Sequence, residues 1–401
     1  MRLLALIGVA FAACASLAQT GYSRVRLYVP DADAVQRVCD SPLGLYSEDV
    51  IVGETDVVVA PDQWGVLFTL RIPYSFVAKL PDVSRWKGEG FEDSDFHTKY
   101  IRYNDIIAVY ENWRSQRPGQ ITRTQVATTW EGRPVWVYKF VVSRRTVPGA
   151  PPRKKFLVTN GIHAREWISP AVGMYMFEKL IQLSETSASH ARLFDKFEFH
   201  WVPSLNPDGY EHSWNVYRLW RKNRRVNGSS FGVDLNRNWA KGWGGPGSSG
   251  SPSSDTYRGP SAFSEPETNG VRNYANQIGA IVGYIDYHSY AQKILYAWSY
   301  TTNPPAEPWR THMINIGSSY RQAILNAGGV TYQYGQGSVA LYVASGTTKD
   351  WFHDTFQALS FTVEVRDTGN YGFELPPDQI VPTGAENWAG FNAFLNYLAS
   401  I

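Results

Sequence analysis

Residues 24–29 read Arg-Val-Arg-Leu-Tyr-Val, with apolar side chains recurring at every second position. A period of two places those side chains on one face of a strand. The short apolar runs at 57–59 and 65–72 also read as strands, whereas 31–39 and 73–80 read as helices. Elements of this size predict a small α+β domain. Farther on, the period lengthens. Residues 103–113, 167–183, 265–277 and 309–327 carry apolar residues at helical intervals, and Ser169-Pro170 fits a helix start. Between them, 135–142, 156–159, 199–203, 281–287 and 359–365 are compact apolar runs of strand length. This alternation predicts an α/β fold, a mixed central β-sheet flanked by helices. The serine- and glycine-rich stretch 242–254 reads as a long surface loop. Residues 85–93 are polar and contain glycine; they read as an exposed, cleavable linker with Arg85 and Lys87 as trypsin-like sites.

The chain has 401 residues, enough for a large core and more than one domain. Apolar residues make up 43%, charged residues 18%, and the net charge is +2, which argues against a disordered chain or a nucleic-acid binder. Met1-Arg2, an apolar run over 3–15 and then Ser16-Leu17-Ala18 form a secretory signal pattern, with cleavage placed after Ala18 and Ala15 as a competing site. The run is too short for a membrane span and no later run is long enough. The expectation is a secreted, extracellular monomer with no membrane or nucleic-acid partner. Its parts are a signal peptide (1–18), a small domain with its linker (19–90) and a large domain (91–401). Cys14 would leave with the signal, so Cys39 would remain as a lone thiol. That is unusual outside the cell, but a core of this size stands without staples.

Residues 159–169, Thr-Asn-Gly-Ile-His-Ala-Arg-Glu-Trp-Ile-Ser, join a strand end to a helix start. In open α/β sheets, ligands bind at the C-terminal edge of the strands. His163 and Glu166 offer an imidazole nitrogen and a carboxylate oxygen, both zinc donors. Spacing alone does not make a metal site, because a surface histidine beside an Arg-Glu pair has the same pattern. His288 supplies a third donor directly after the strand 281–287. Two histidines and one carboxylate leave a fourth zinc position open. His200 lies within a strand and reads as a core histidine. Residues 218–225 form a dense basic run, either a solvated face or a carboxylate-binding surface. Glu364 interrupts an apolar strand, so it is either an outward-facing residue or a buried functional one.

The motifs GIHAREW (161–167), NPDGY (206–210), RLWRK (218–222), DLNRNW (234–239), DYHSY (286–290), LYVASG (341–346) and FTVEVRDTGNYGFELP (361–376) occur in this order. Together they resemble the zinc metallocarboxypeptidases of the funnelin group, to which the pancreatic A and B carboxypeptidases belong. The likeness covers the chain from about residue 95 onward. The first part resembles, more loosely, the group's inhibitory pro-domain. By that resemblance His163, Glu166 and His288 hold one Zn2+, and Glu364 is the general base. Arg221 stabilises the oxyanion. Asn236, Arg237 and Tyr342 clamp the free C-terminal carboxylate of a peptide substrate, and Arg165 and Tyr290 line neighbouring substrate positions. Asp234 either orients a ligand or holds a loop.

In the group, the residue seven places after the clamp tyrosine helps to select the C-terminal side chain; here it is Lys349. A lysine at the pocket base implies a preference for glutamate or aspartate. If Lys349 instead snorkels to solvent, the pocket stays apolar and A-type substrates follow. A non-catalytic peptide-binding module is the competing reading from another class. Asn227-Gly228-Ser229 is an N-glycosylation acceptor.

Overall fold

The computed structural model describes residues 22–46, 50, 52–60, 62–79, 95–142, 151–328 and 330–401. The expected signal peptide (1–18) and the expected linker with Arg85 and Lys87 lie outside the described residues.

The first unit runs β1 (Ser23–Val29), α1 (Ala32–Cys39), β2 (Gly44–Leu45), β3 (Gly53–Val59), α2 (Trp64–Leu70) and β4 (Tyr74–Lys79). Its sheet order is β2-β3-β1-β4, with antiparallel pairing throughout. Val25, Leu27 and Val29 point into its core, as their alternation requires. Asp31 caps α1, its side chain accepting the Ala34 N–H at 2.7 Å. Two expectations are reversed here. Residues 64–70, read as a strand, are helical, and 74–79, read as helical, are a strand. The buried residues of α2 are Trp64, Leu67 and Leu70, three apart, so the run packs one helical face. A short apolar run does not reveal that choice by itself. Arg71, at φ 53°, ends the helix and turns the chain into edge strand β4.

The second unit begins with α3 (Tyr103–Gln116), β5 (Ile121–Thr128) and β6 (Pro134–Phe140). It continues through β7 (Lys154–Asn160), α4 (Ile168–Thr186), α5 (Ala188–Phe194), β8 (Phe197–Val202), α6 (Pro207–Asn215) and the hairpin β9 (Val226–Asn227) and β10 (Ser230–Phe231). Then come α7 (Pro266–Ile278), β11 (Ile281–His288), β12 (Lys293–Tyr296), α8 (Trp309–Gly328), β13 (Gln333–Gln336), α9 (Gly337–Ala340), α10 (Thr348–Phe356), β14 (Leu359–Glu364) and α11 (Ile380–Ser400). The sheet is mixed and eight-stranded, ordered β13-β12-β14-β11-β7-β8-β6-β5. Its central strands β14, β11, β7 and β8 are parallel.

Both faces of the sheet are covered, so the strands carry two cores. On β7, Phe156 and Val158 join one core and Leu157 the other. The first core is closed by α4, α8 and α11, with Phe391 and Phe394 edge-on to Phe156 at 5.2 and 5.1 Å. Each such buried ring is worth about 1.5–3 kcal/mol in transfer from water. The second core lies under α7 and α10. On its side of the sheet the alternate positions turn polar toward the strand ends: Thr159, then Asp286 and His288, then Ser360, Thr362 and Glu364. A buried row of polar side chains needs partners, and the functional site forms there. No helix among the described residues is long and apolar enough to cross a membrane.

Candidate active site

Three adjacent parallel strands end at the same level. His288 and Glu364 are register partners across β11 and β14, and Tyr287 pairs with Asn160 of β7. His163 follows three residues beyond Asn160, after Gly161 at φ +61°. A Cβ on Gly161 would sit 2.9 Å from Ser204 Oγ, so glycine suits both this turn and its packing. The chain then enters α4, bringing Glu166 back beneath His163.

His163, Glu166 and His288 are all buried, and their donor atoms lie within 4.8 Å of one another. His163 Nδ1 is 2.5 Å from Glu166 Oε1, and His288 Nδ1 is 3.1 Å from Glu166 Oε2. The outer nitrogens face carboxylates: His163 Nε2 is 3.2 Å from Asp234 Oδ1, and His288 Nε2 is 2.8 Å from Asp286 Oδ2. Donation from each Nε2–H leaves the Nδ1 lone pairs directed at Glu166. The buried His288 Nδ1 makes no hydrogen bond among the described residues. Lone pairs facing a carboxylate call for a cation between them, and this donor set suits Zn2+. The surrounding carboxylates favour positive charge here, whether carried by an imidazolium proton or by a metal ion that replaces it. Burial alone would raise the Glu166 carboxyl, but His163 and His288 hold it well below the usual carboxylate range. Burial opposes charge on His288, yet Asp286 and Glu166 push its pKa well above the ordinary histidine value. The centre is arranged to hold positive charge.

Arg221 is 1% exposed and donates through Nε and Nη2 to Asp234 Oδ2 at 3.1 and 3.0 Å. The basic run is therefore not a solvated face. Lys222 is buried too, its ammonium on Pro252 O at 2.9 Å and its pKa pushed down to about 8 by burial. Asp234 Oδ1 also accepts the Asn236 N–H at 2.9 Å, starting the 3-10 turn that aims Asn236 and Arg237 inward. Asp234 thus both faces the His163 imidazole and holds a loop. Burial would raise its carboxyl, but Arg221, with Arg237 and His163, holds it well below the usual range. Asn236 accepts the Thr348 N–H at 2.9 Å, and Arg237 Nε donates to Gly247 O at 2.6 Å.

His163, Arg221, Asn236, Arg237, His288, Tyr342, Lys349 and Glu364 line one cavity of about 20 Å³, room for about one water. Lys349 is 3% exposed, and its Nζ donates to Ser299 Oγ at 2.5 Å. It does not snorkel to solvent. Burial lowers its pKa against the pull of Asp350 and Glu364. Gly337 makes room for it, since a Cβ there would meet Ser299 Oγ at 2.5 Å and Lys349 Nζ at 3.0 Å.

Two predicted site residues lie beside this cavity rather than on it. Arg165 Nη1 donates to Leu45 O of the first unit, and its guanidinium lies 4.0 Å from the centre of the Phe373 ring. Tyr290 OH donates to Tyr46 O at 3.1 Å. Asn227 lies apart, on the β9–β10 hairpin, with its side-chain amide donating to Gly232 O at 3.1 Å. His200 is a core residue, 2.8 Å from Tyr274 OH and 2.9 Å from Glu198.

Sequence reasoning missed Asp286 and Ser299 and left Asp234 undecided. Asp286 also accepts from Thr159 and Thr348 hydroxyls at 2.7 and 2.9 Å. Its signal was available: an aspartate two residues before His288 shares its face of an otherwise apolar strand. Ser299 carries no comparable signal.

The fold and donor set match a metal-dependent peptidase, and comparison gives the family. The profile described as zinc carboxypeptidase (peptidase M14) matches residues 106–390, and the chain belongs to that family. It is an enzyme of the EC 3.4.17 type, in a family that uses one catalytic Zn2+. Carboxypeptidase A1 of Bos taurus is 35% identical over 296 residues, covering 73% of this chain and 69% of that protein. Carboxypeptidase B of Bos taurus is 36% identical over 305 residues, covering 75% and 71%. A crystal structure of thrombin activatable fibrinolysis inhibitor superposes with a TM-score of 0.82 at 27% identity, covering 95% of this chain and 99% of that one. Carboxypeptidase A from Helicoverpa armigera gives 0.81 at 26% identity, covering 95% and 98%.

Proposed function

We propose that this protein is a secreted zymogen whose activated form removes C-terminal glutamate or aspartate from peptides. The observation that carries the substrate preference is the buried Lys349 ammonium at the cavity wall, with one hydroxyl partner in Ser299. A buried ammonium is costly unless paired, and an acidic side chain pairs it. An apolar side chain would leave the charge desolvated, which disfavours the A-type reading.

His163, Glu166 and His288 hold zinc, which when bound supplies Lewis acidity toward the scissile carbonyl and activation of water. Asn236, Arg237 and Tyr342 take the terminal carboxylate and so register the last peptide bond. Glu364 accepts a proton from the attacking water and returns it to the leaving amine. Arg221, fixed by Asp234, donates to the developing oxyanion without reorganising. The N-terminal unit is the inhibitory pro-domain (19–90) and the rest the catalytic domain (91–401). Docking of Leu45 and Tyr46 on Arg165 and Tyr290 supports occlusion of the substrate path until a trypsin-like protease cuts the linker.

The test is turnover before and after trypsin, on peptides differing only in a last residue of Glu, Asp, Leu, Phe, Lys or Arg. The expected result is activity after cleavage, abolished by a chelator, with Glu or Asp preferred. Preference for Leu or Phe would refute the acidic pocket and leave the peptidase intact.

A further inference from the structure

The seam between the two units carries one more inference, which rests on the peptidase reading above. Among the described residues, strand β2 lies at the edge of its sheet and pairs only with β3. The Leu45 side chain is buried in the core of its own unit. Its main chain faces the other way. The Leu45 N–H donates to Asp255 Oδ2 at 3.0 Å, and the Leu45 carbonyl accepts from Arg165 Nη1. One residue on, the Tyr46 carbonyl accepts from Tyr290 OH at 3.1 Å. Asp255 and Arg165 are 3.7 Å apart. The Tyr46 ring packs edge-on to Phe373 at 6.0 Å, but the hydrogen bonds from Asp255, Arg165 and Tyr290 go to the backbone of the two consecutive residues and to neither side chain. Such a grip holds any extended chain regardless of sequence.

Two of the three, Arg165 and Tyr290, belong to the proposed substrate path. Asp255 has no assigned role. Among the described residues, the N–H of Leu45 is the only hydrogen-bond donor to its carboxylate. We infer that Asp255 is a substrate-positioning residue. With the N-terminal unit gone, its carboxylate accepts the backbone N–H of the substrate residue whose carbonyl Arg165 holds, and Tyr290 takes the next carbonyl. The N-terminal unit blocks the path by making the substrate's own backbone hydrogen bonds. A separate contact, Ser249 Oγ to Asp40 Oδ1 at 2.5 Å, serves docking alone.

The test uses cleaved wild-type, Asp255→Ala and Asp255→Asn proteins on Glu-ended peptides of increasing length. The intact Asp255→Ala and Asp40→Ala chains are assayed in parallel. A hydrogen bond to a half-buried carboxylate predicts a fall of about fivefold to tenfold in kcat/KM for Asp255→Ala, carried by KM. That fall appears only in peptides long enough to reach Asp255. Asp255→Asn recovers part of it through its amide oxygen. N-methylation of one upstream amide reproduces the loss in wild-type protein and adds nothing in Asp255→Ala. Both intact variants show raised activity before cleavage, but only Asp255→Ala changes the length dependence afterwards. A loss equal at every length, or no loss at all, would reduce Asp255 to a docking anchor and overturn the inference. Cleaved wild-type protein idle on every peptide would overturn the peptidase reading, and this inference with it.

Discussion

Replacing Lys349 by Met tests the specificity argument at its narrowest point. Methionine keeps the unbranched length and removes the charge. In the wild-type protein the ammonium is buried, with Ser299 Oγ at 2.5 Å. In the proposed pocket a glutamate substrate would meet that ammonium where neither charge retains its hydration, so truncating one partner would strand the other. Such a loss costs about 3–5 kcal/mol. Ser299 remains in the variant and donates to the substrate carboxylate, which favours the lower end. About 3 kcal/mol corresponds to ~10²-fold in kcat/KM. A leucine-ended peptide moves the other way, because it no longer buries an unpaired ammonium. A gain of about tenfold there is a moderate share of the usual 1–3 kcal/mol for an unsatisfied buried group. The Glu-to-Leu ratio should then fall by ~10³. Competition between the two peptides in one tube, followed by product ratio, reads kcat/KM directly. A ratio that moves less than threefold would show that Lys349 does not contact the C-terminal side chain, and the charge argument fails with it.

Asp234→Asn separates the two duties of that carboxylate. Weakened orientation of His163 should lower metal affinity by about 10–100-fold, measured by chelator competition. Loss of the Arg221 anchor should lower kcat by ~10² even at saturating zinc; wild-type kcat in that condition refutes the coupling. The Glu374 carboxyl is pushed up to about 7, by burial against the opposing pull of Arg218. It is protonated in the fold and ionised in the unfolded chain above its ordinary 4.5. Its stabilising contribution is complete below that value and falls as pH rises toward about 7. Melting of the intact protein across this range should show a slope that Glu374→Gln flattens; an unchanged slope assigns it to other groups.

What was legible in the sequence followed the physics of each signal. The parallel core strands appear as compact apolar runs because both their faces are buried, and β7, β8, β11 and β14 were readable for that reason. The N-terminal unit was harder. In 64–70 the apolar residues are dense enough to satisfy either period, and tertiary packing of Trp64, Leu67 and Leu70 decides for the helix. The C-terminal helix α11 received no assignment, although Phe391, Phe394, Leu395 and Leu398 are buried at helical spacing.

The site divides along the same line. His163, Glu166 and His288 were visible because three metal-donor side chains at strand ends are rare without a purpose. The residues that hold them were not. Asp234 is 71 residues from the histidine it orients, and an aspartate before a turn looks the same whether it caps the turn or carries a catalytic network. Here the two roles are one geometry: capping the 3-10 turn fixes the carboxylate that grips both His163 and Arg221. Asp255 is harder still, since its partner is a main-chain N–H with no signature in any side chain. Backbone recognition is therefore invisible to motif reading in principle. It emerges only when folding brings a carboxylate and a guanidinium within 3.7 Å of each other beside an extended strand. The same property would let these main-chain hydrogen bonds pass from the N-terminal unit to a substrate, because neither has to present a particular side chain to make them.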